Sequence, residues 1–155
     1  MTTARRTDLD GLQEPFKSGI VWLEHLLELQ GVPMVRFETV RTPERQNMLF
    51  KRGNTKARAG KSAHQFGYAV DYVLDTDEID TAQRLWKDKM VSYAWDTDTA
   101  EAKRTWLKFG RIVKRMGFIW GGDYGVSSGS GLIGWDFPHV EFPDWQARRG
   151  GQHVQ

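Results

Sequence analysis

The chain has 155 residues, 39% of them hydrophobic, with 22 Lys and Arg against 20 Asp and Glu for a formal net charge of +2. That is enough chain for one domain with its own core, and it is too apolar for a disordered segment. Cysteine is absent, which excludes disulfides and thiolate metal sites, so any metal ion must be held by His, Asp and Glu.

Residues 1–12 carry Arg5 and Arg6 with no apolar run behind them, so a secretory signal is not expected. No apolar stretch reaches the length of a membrane span. Residues 1–16 read as a polar lead-in in which Pro15 breaks any helix. Over residues 17–30, Ile20, Leu23 and Leu27 recur at helical spacing, and Gly31 and Pro33 stop the helix. His25 on that helix reads as an ordinary surface histidine. Residues 34–40 alternate and predict a strand. Thr42 then caps a short helix to about Lys51, with Pro43 at its first position and Glu44 near the positive end of its dipole.

Residues 53–61 form a loop. Residues 68–74 predict a central strand with Asp71 embedded in it, where a carboxylate is costly to bury without compensation. After a turn at 75–80, residues 81–90 predict a short helix with Ala82, Leu85 and Trp86 inward. A break at 95–98 leads into the clearest helix, 99–116, with Trp106, Phe109, Ile112, Val113 and Met116 on one face and Gly117 as its C′ residue. A strand at 118–120 enters a long Gly- and Ser-rich loop, 121–134, of the kind that is often functional. Residues 139–142 form a last strand, ended by Pro143. Residues 150–155 are a tail in which His153 has no expected role. The elements together predict one α+β domain over residues 17–149, a small, mostly antiparallel sheet flanked by helices.

Between positions 41 and 61, Arg41, Arg45, Lys51, Arg52, Lys56, Arg58 and Lys61 face the single acid Glu44. The ordinary reading is a solvated loop. The sharper one is a surface for an anionic polymer, nucleic acid or cell wall. Two further segments carry chemistry. The stretch 62–71 places His64 and Asp71 seven residues apart, which suits ligands on a loop and the adjoining strand. The stretch 135–141 supplies His139 on another strand, with Glu141 two residues on and therefore on the same face. Two imidazoles and one carboxylate can hold a zinc ion and leave a coordination position open. Asp136 sits in the bend before Pro138, where a proton-handling carboxylate is useful. Glu141 is placed to orient a ligand imidazole. Taken alone, each half-site reads more often as ordinary loop and strand residues than as a metal site.

The residues say more in combination. Ser62-x-His64-x-x-Gly67-x-Ala69-x-Asp71 resembles the first metal-binding motif of the zinc D-Ala-D-Ala carboxypeptidase and L-alanyl-D-glutamate endopeptidase family. Trp135-Asp136-x-Pro138-His139 resembles its second. Arg41-Thr42-x-x-x-Gln46 resembles the lead-in segment, and the run from Phe118 to Asp123 resembles the one that precedes the second motif. The match spans roughly residues 17–145, and within the family it looks most like the phage endolysin branch.

The resemblance implies the small α+β fold shared with lysostaphin-type enzymes and the hedgehog signalling domain. It implies one Zn2+ ion on His64, Asp71 and His139, Asp136 as catalytic base, Arg41 holding a substrate carbonyl or carboxylate, and Ser62 and Gln46 as substrate-binding residues. The implied partner is bacterial peptidoglycan, cut at the L-Ala–D-Glu bond of the stem peptide, with removal of terminal D-Ala or wall binding without turnover as the alternatives. An endolysin accumulates in the host cytoplasm and reaches the wall through a separate pore. A monomer with no nucleic-acid partner and no membrane insertion is expected.

Overall fold

A computed structural model describes residues 2–55, 57, 60–127 and 129–149. In chain order the main elements are α1 (Phe16–Leu29), β1 (Met34–Glu38), α2 (Pro43–Lys51), β2 (Ala69–Leu74), β3 (Gln83–Trp86), β4 (Lys89–Ser92), α3 (Ala100–Arg115), β5 (Ile119–Trp120), β6 (His139–Glu141) and α4 (Trp145–Arg148). Four strands form an antiparallel sheet in the order β1-β2-β6-β5, while β3 and β4 pair only with each other.

Strand β2 organises the molecule. Its side chains alternate between the two faces of the sheet. Val70, Tyr72 and Leu74 are almost fully buried on one face. There the Tyr72 ring packs on Phe109 of α3, and its hydroxyl donates to Glu24 of α1 at 2.9 Å. Helix α1 contributes Phe16, Ile20, Leu23 and Leu27 to this core, and α3 contributes Trp106, Phe109, Ile112 and Val113. Helix α3 is well specified at both ends. The Thr99 hydroxyl accepts from the Ala102 N–H, Glu101 lies in the first turn, and Lys114 and Arg115 lie in the last. The opposite face of β2 carries Asp71.

The lead-in is packed rather than separate. Leu12 is buried in the core, the Arg6 carbonyl accepts from the Thr39 N–H at 2.8 Å, and the Gln13 N–H donates to the Gly67 carbonyl at 3.0 Å. Gly67 has φ +80°, and a Cβ there would lie 2.3 Å from the Gly11 carbonyl oxygen, so this junction requires glycine.

The helix expected over residues 81–90 is not formed. These residues build the β3–β4 hairpin, turned by Lys87 and Asp88 at φ 47° and 64°. A two-residue turn with both residues left-handed matches strand twist, but it usually announces itself through Asn-Gly or Asp-Gly. The basic run also divides. Arg41 and Arg45 are tied into buried ion pairs, Lys61 lines a cleft, and Lys56 and Arg58 lie outside the described residues, as does the tail 150–155 with His153. His25 is exposed and packs edge-on against Trp22. No helix among the described residues is long and apolar enough to cross a membrane.

Candidate active site

Asp71 and His139 are direct cross-strand partners in the β2–β6 ladder. His64 arrives from a short 3-10 turn, Ala63–Phe66, immediately before β2. The Arg41 N–H donates to the His64 carbonyl at 3.1 Å, which ties this turn to the end of β1. His64 Nδ1 lies 2.8 Å from the Thr39 carbonyl. A carbonyl only accepts, so in the neutral ring Nδ1 carries the proton and Nε2 presents its lone pair.

That Nε2 is buried without a hydrogen-bond partner, 3.2 Å from Asp71 Oδ1. On the other side of the same oxygen, His139 Nδ1 lies 3.1 Å away. One ligand atom from each of His64, Asp71 and His139 falls within 4.8 Å of the other two. Tetrahedral zinc with bonds of about 2.0–2.1 Å separates its ligands by about 3.3 Å. The spacing therefore fits such an ion, and a lone pair aimed at a carboxylate oxygen is unfavourable unless a cation or a proton lies between them.

Charge gives the same answer. Burial opposes protonation of His139, but hydrogen bonds to Asp71 and Glu141 outweigh it and hold the imidazole up at about 10. Its two nitrogens are gripped between two carboxylates, with Glu141 Oε1 3.0 Å from Nε2. The site thus demands positive charge. A divalent cation meets that demand through Nδ1 while Glu141 keeps Nε2 and fixes the ring, the arrangement by which outer carboxylates orient metal-bound imidazoles.

Asp136 lines the same cleft, about 610 Å3 in volume. Burial pushes its carboxyl up and Asp71 adds to the rise, against the opposing pull of His139, His64 and Arg41. The bend that carries Asp136 is held from two sides. Its carbonyl accepts from the His139 N–H at 3.0 Å, and a Cβ on Gly121 would lie 2.1 Å from that carbonyl oxygen. Gly121 is thus the residue that lets β5 run on against this bend.

Arg41 borders the site with its guanidinium held among three side chains, although its buried Nε makes no hydrogen bond. Nε faces Glu38 Oε1 at 3.0 Å, Nη1 donates to Gln46 Oε1 at 3.2 Å, and Nη2 reaches Asp71 Oδ2 at 3.3 Å. Gln46 is 0% exposed, and its amide donates to the Ala57 carbonyl and to Thr55. It therefore stands behind Arg41, where it fixes that side chain, and not on the cleft wall. Ser62 does line the cleft.

Several residues at the site escaped the sequence reading. Glu38 is a buried carboxylate shared between Arg41 and Arg45, and in an alternating strand it looks like any polar position. The Thr39 carbonyl carries no side-chain signal at all. Tyr124, whose hydroxyl is pushed up to about 12 by burial together with Glu141 and Asp136, follows directly on the Gly-Gly-Asp run that had been singled out. Trp145 and Gln146 close the cleft from the unpredicted α4.

Residues 55–142 match the M15 peptidase family model described as D-alanyl-D-alanine carboxypeptidase. The chain is 31% identical over 122 residues to the peptidoglycan L-alanyl-D-glutamate endopeptidase CwlK of Bacillus subtilis, covering 72% of this chain and 62% of that protein. It is 30% identical over 116 residues to the L-alanyl-D-glutamate peptidase of Listeria phage A118, covering 74% of this chain but 32% of the phage protein.

Among solved structures, the L-Ala D-Glu endopeptidase ChiX of Serratia marcescens superposes with a TM-score of 0.53 at 20% identity, covering 94% of this chain and 92% of that one. VanYB in complex with D-alanine-D-alanine superposes with a TM-score of 0.56 at 16% identity, covering 95% and 81%. These two likenesses show the fold, a small antiparallel sheet with flanking helices as in the M15 peptidases. The family match covers more than half of the sequence and both halves of the His64–Asp71–His139 cluster, and the chain belongs to the M15 peptidase family.

Proposed function

We propose that this chain is a zinc-dependent peptidoglycan peptidase that hydrolyses the L-Ala–D-Glu bond of the stem peptide. The observation that carries the reading is the convergence of His64, Asp71 and His139 on one point, with Asp136 on the wall of the same cleft. The bond assignment is supported by two relatives named for that specificity, of which the chain spans 62% and 32%.

In this reading His64, Asp71 and His139 hold one zinc ion. When bound, the ion supplies Lewis acidity at the scissile carbonyl and lowers the pKa of a coordinated water toward about 7. Asp136, its affinity for protons raised by burial, takes the proton of the attacking water and returns it to the leaving amine. Arg41 is braced by Glu38 and Gln46 and holds its charge against Asp71 at the edge of the site, where it steadies that carboxylate and faces a substrate carbonyl or carboxylate. Ser62 and Tyr124 line the path of the stem peptide.

The protein works as a monomer on bacterial peptidoglycan. The phage relative supports an endolysin role, made in the host cytoplasm and delivered to the wall through a separate pore. The family description and the VanYB likeness favour one second reading, removal of terminal D-Ala. Digestion of purified peptidoglycan followed by amino-terminal analysis separates them. New D-Glu amino termini are expected, whereas release of free D-Ala alone would overturn the endopeptidase assignment.

A further inference from the structure

The β3–β4 hairpin has no assigned role, and it is the most exposed strand pair among the described residues. Every residue from Gln83 to Ser92 is exposed, including Leu85 at 69%, Trp86 at 65% and Met90 at 62%. Its base is anchored. The Tyr93 N–H donates to the Ala82 carbonyl at 2.8 Å, and the Ala82 N–H donates to Asp96 Oδ2 at 2.9 Å. The tip therefore projects from a fixed mount.

Register places Leu85 opposite Met90 on one face of the hairpin, and Trp86 opposite Lys89 and Arg84 opposite Val91 on the other. Large apolar side chains thus stand on both faces. A flat protein partner would cover one face and leave the other in water. A medium that surrounds the tip buries both. The polar residues have the complementary character: Arg84, Lys87 and Lys89 against the single acid Asp88. Lys87 lies over the Trp86 ring at 5.8 Å. Long cationic side chains beside a Trp let apolar groups enter the headgroup region of a bilayer while their charges stay with anionic phosphates.

We infer that the β3–β4 tip docks peripherally on an anionic lipid bilayer, inserting Leu85, Trp86 and Met90 between headgroups. The expectation of no membrane insertion rested on the lack of an apolar span, and a peripheral contact by an exposed hairpin is a different mode that needs no span. The docking is independent of the peptidase reading, since none of these side chains lines the catalytic cleft.

Co-sedimentation of the full chain with vesicles tests the inference, comparing phosphatidylcholine alone with phosphatidylcholine mixed with phosphatidylglycerol. Binding to the anionic vesicles, weakened by salt, is expected. Trp86→Ala/Met90→Ser should lose at least about tenfold in partitioning through the apolar term, and Lys87→Glu/Lys89→Glu at least as much through the charge term. Both variants should keep the wild-type circular dichroism and Tm. No binding by the wild type, equal binding to neutral vesicles, or binding that survives either variant overturns the inference. So does a wild-type dimer that both variants dissociate, which would assign the tip to a second copy of the chain.

Discussion

Two antiparallel strand pairs of this molecule, one buried and one exposed, have opposite fates. The β2–β6 pair is held by several independent constraints at once: a buried apolar face, the ladder, the Thr39 carbonyl on His64, Glu141 on His139, and Gly121 against the Asp136 carbonyl. The β3–β4 pair is held by its own ladder and its anchored base. The contrast separates positions where a side chain is fixed by its surroundings from positions where it is free to meet something outside the chain. Such fixing is what a site needs if its reacting groups are to be placed before substrate arrives.

The sharpest way to probe the constrained pair is at Asp136, the cleft carboxylate assigned the proton transfer. Asp136→Asn should keep bound zinc and the wild-type Tm while turnover on peptidoglycan falls about 10²–10⁴-fold, the range for loss of a general acid–base group. Unchanged turnover would remove Asp136 from the mechanism.

Next in size is the brace behind Arg41. Glu38→Gln leaves two buried guanidiniums, Arg41 and Arg45, short of their shared partner. Breaking a buried ion pair from one side costs on the order of 3 kcal/mol, a fall in Tm on the order of 10 °C for a chain this size. Calorimetry of the variant would measure it, and an unchanged Tm would mean that the brace is not structural.

A smaller effect tests the junction between the two regions. Burial pushes the Asp96 carboxyl up, but hydrogen bonds from the Ala82, Asp98 and Thr99 N–H groups and from the Thr99 hydroxyl outweigh it and hold the group below its ordinary value. A carboxylate lowered on folding stabilises the protein above its unfolded pKa of about 3.9, and that contribution is lost as pH falls through the lower folded value. Asp96→Asn should therefore lower stability at neutral pH and flatten its decline in acid, as read from Tm against pH. An acid limb as steep as that of the wild type would contradict this.

The smallest effect belongs to the free pair. Met90→Ser at the tip should change stability by no more than about 0.5 kcal/mol, whereas Val70→Ala, fully buried in β2, should cost about 2 kcal/mol. Equal effects in chemical denaturation would erase the distinction between the two pairs.

The same contrast explains what was legible in the sequence. Helices α1 and α3 could be read because their apolar positions recur at helical spacing and their ends carry caps or stops, Thr99 above all. Strand β2 could be read because both of its faces are substantially buried, and Asp71 stood out as a carboxylate in an apolar run. His64, His139 and Asp136 stood out through the two segments that resemble the family's motifs, since the spacing of each half-site alone favoured ordinary loop and strand residues.

The hairpin was not legible, because its turn uses Lys87 and Asp88 where a sequence signal needs glycine, and because Leu85 and Trp86 look like core residues unless their exposure is known. Glu38, the Thr39 carbonyl and the burial of Gln46 depend on contacts between distant segments, which no local pattern encodes.

Titration of the metal-free protein with zinc, followed by calorimetry, tests the central claim most directly. One equivalent should bind with release of one proton from His139, and His64→Ala should abolish that binding. Failure of the wild type to bind a stoichiometric ion, or binding left intact by His64→Ala, would contradict the site.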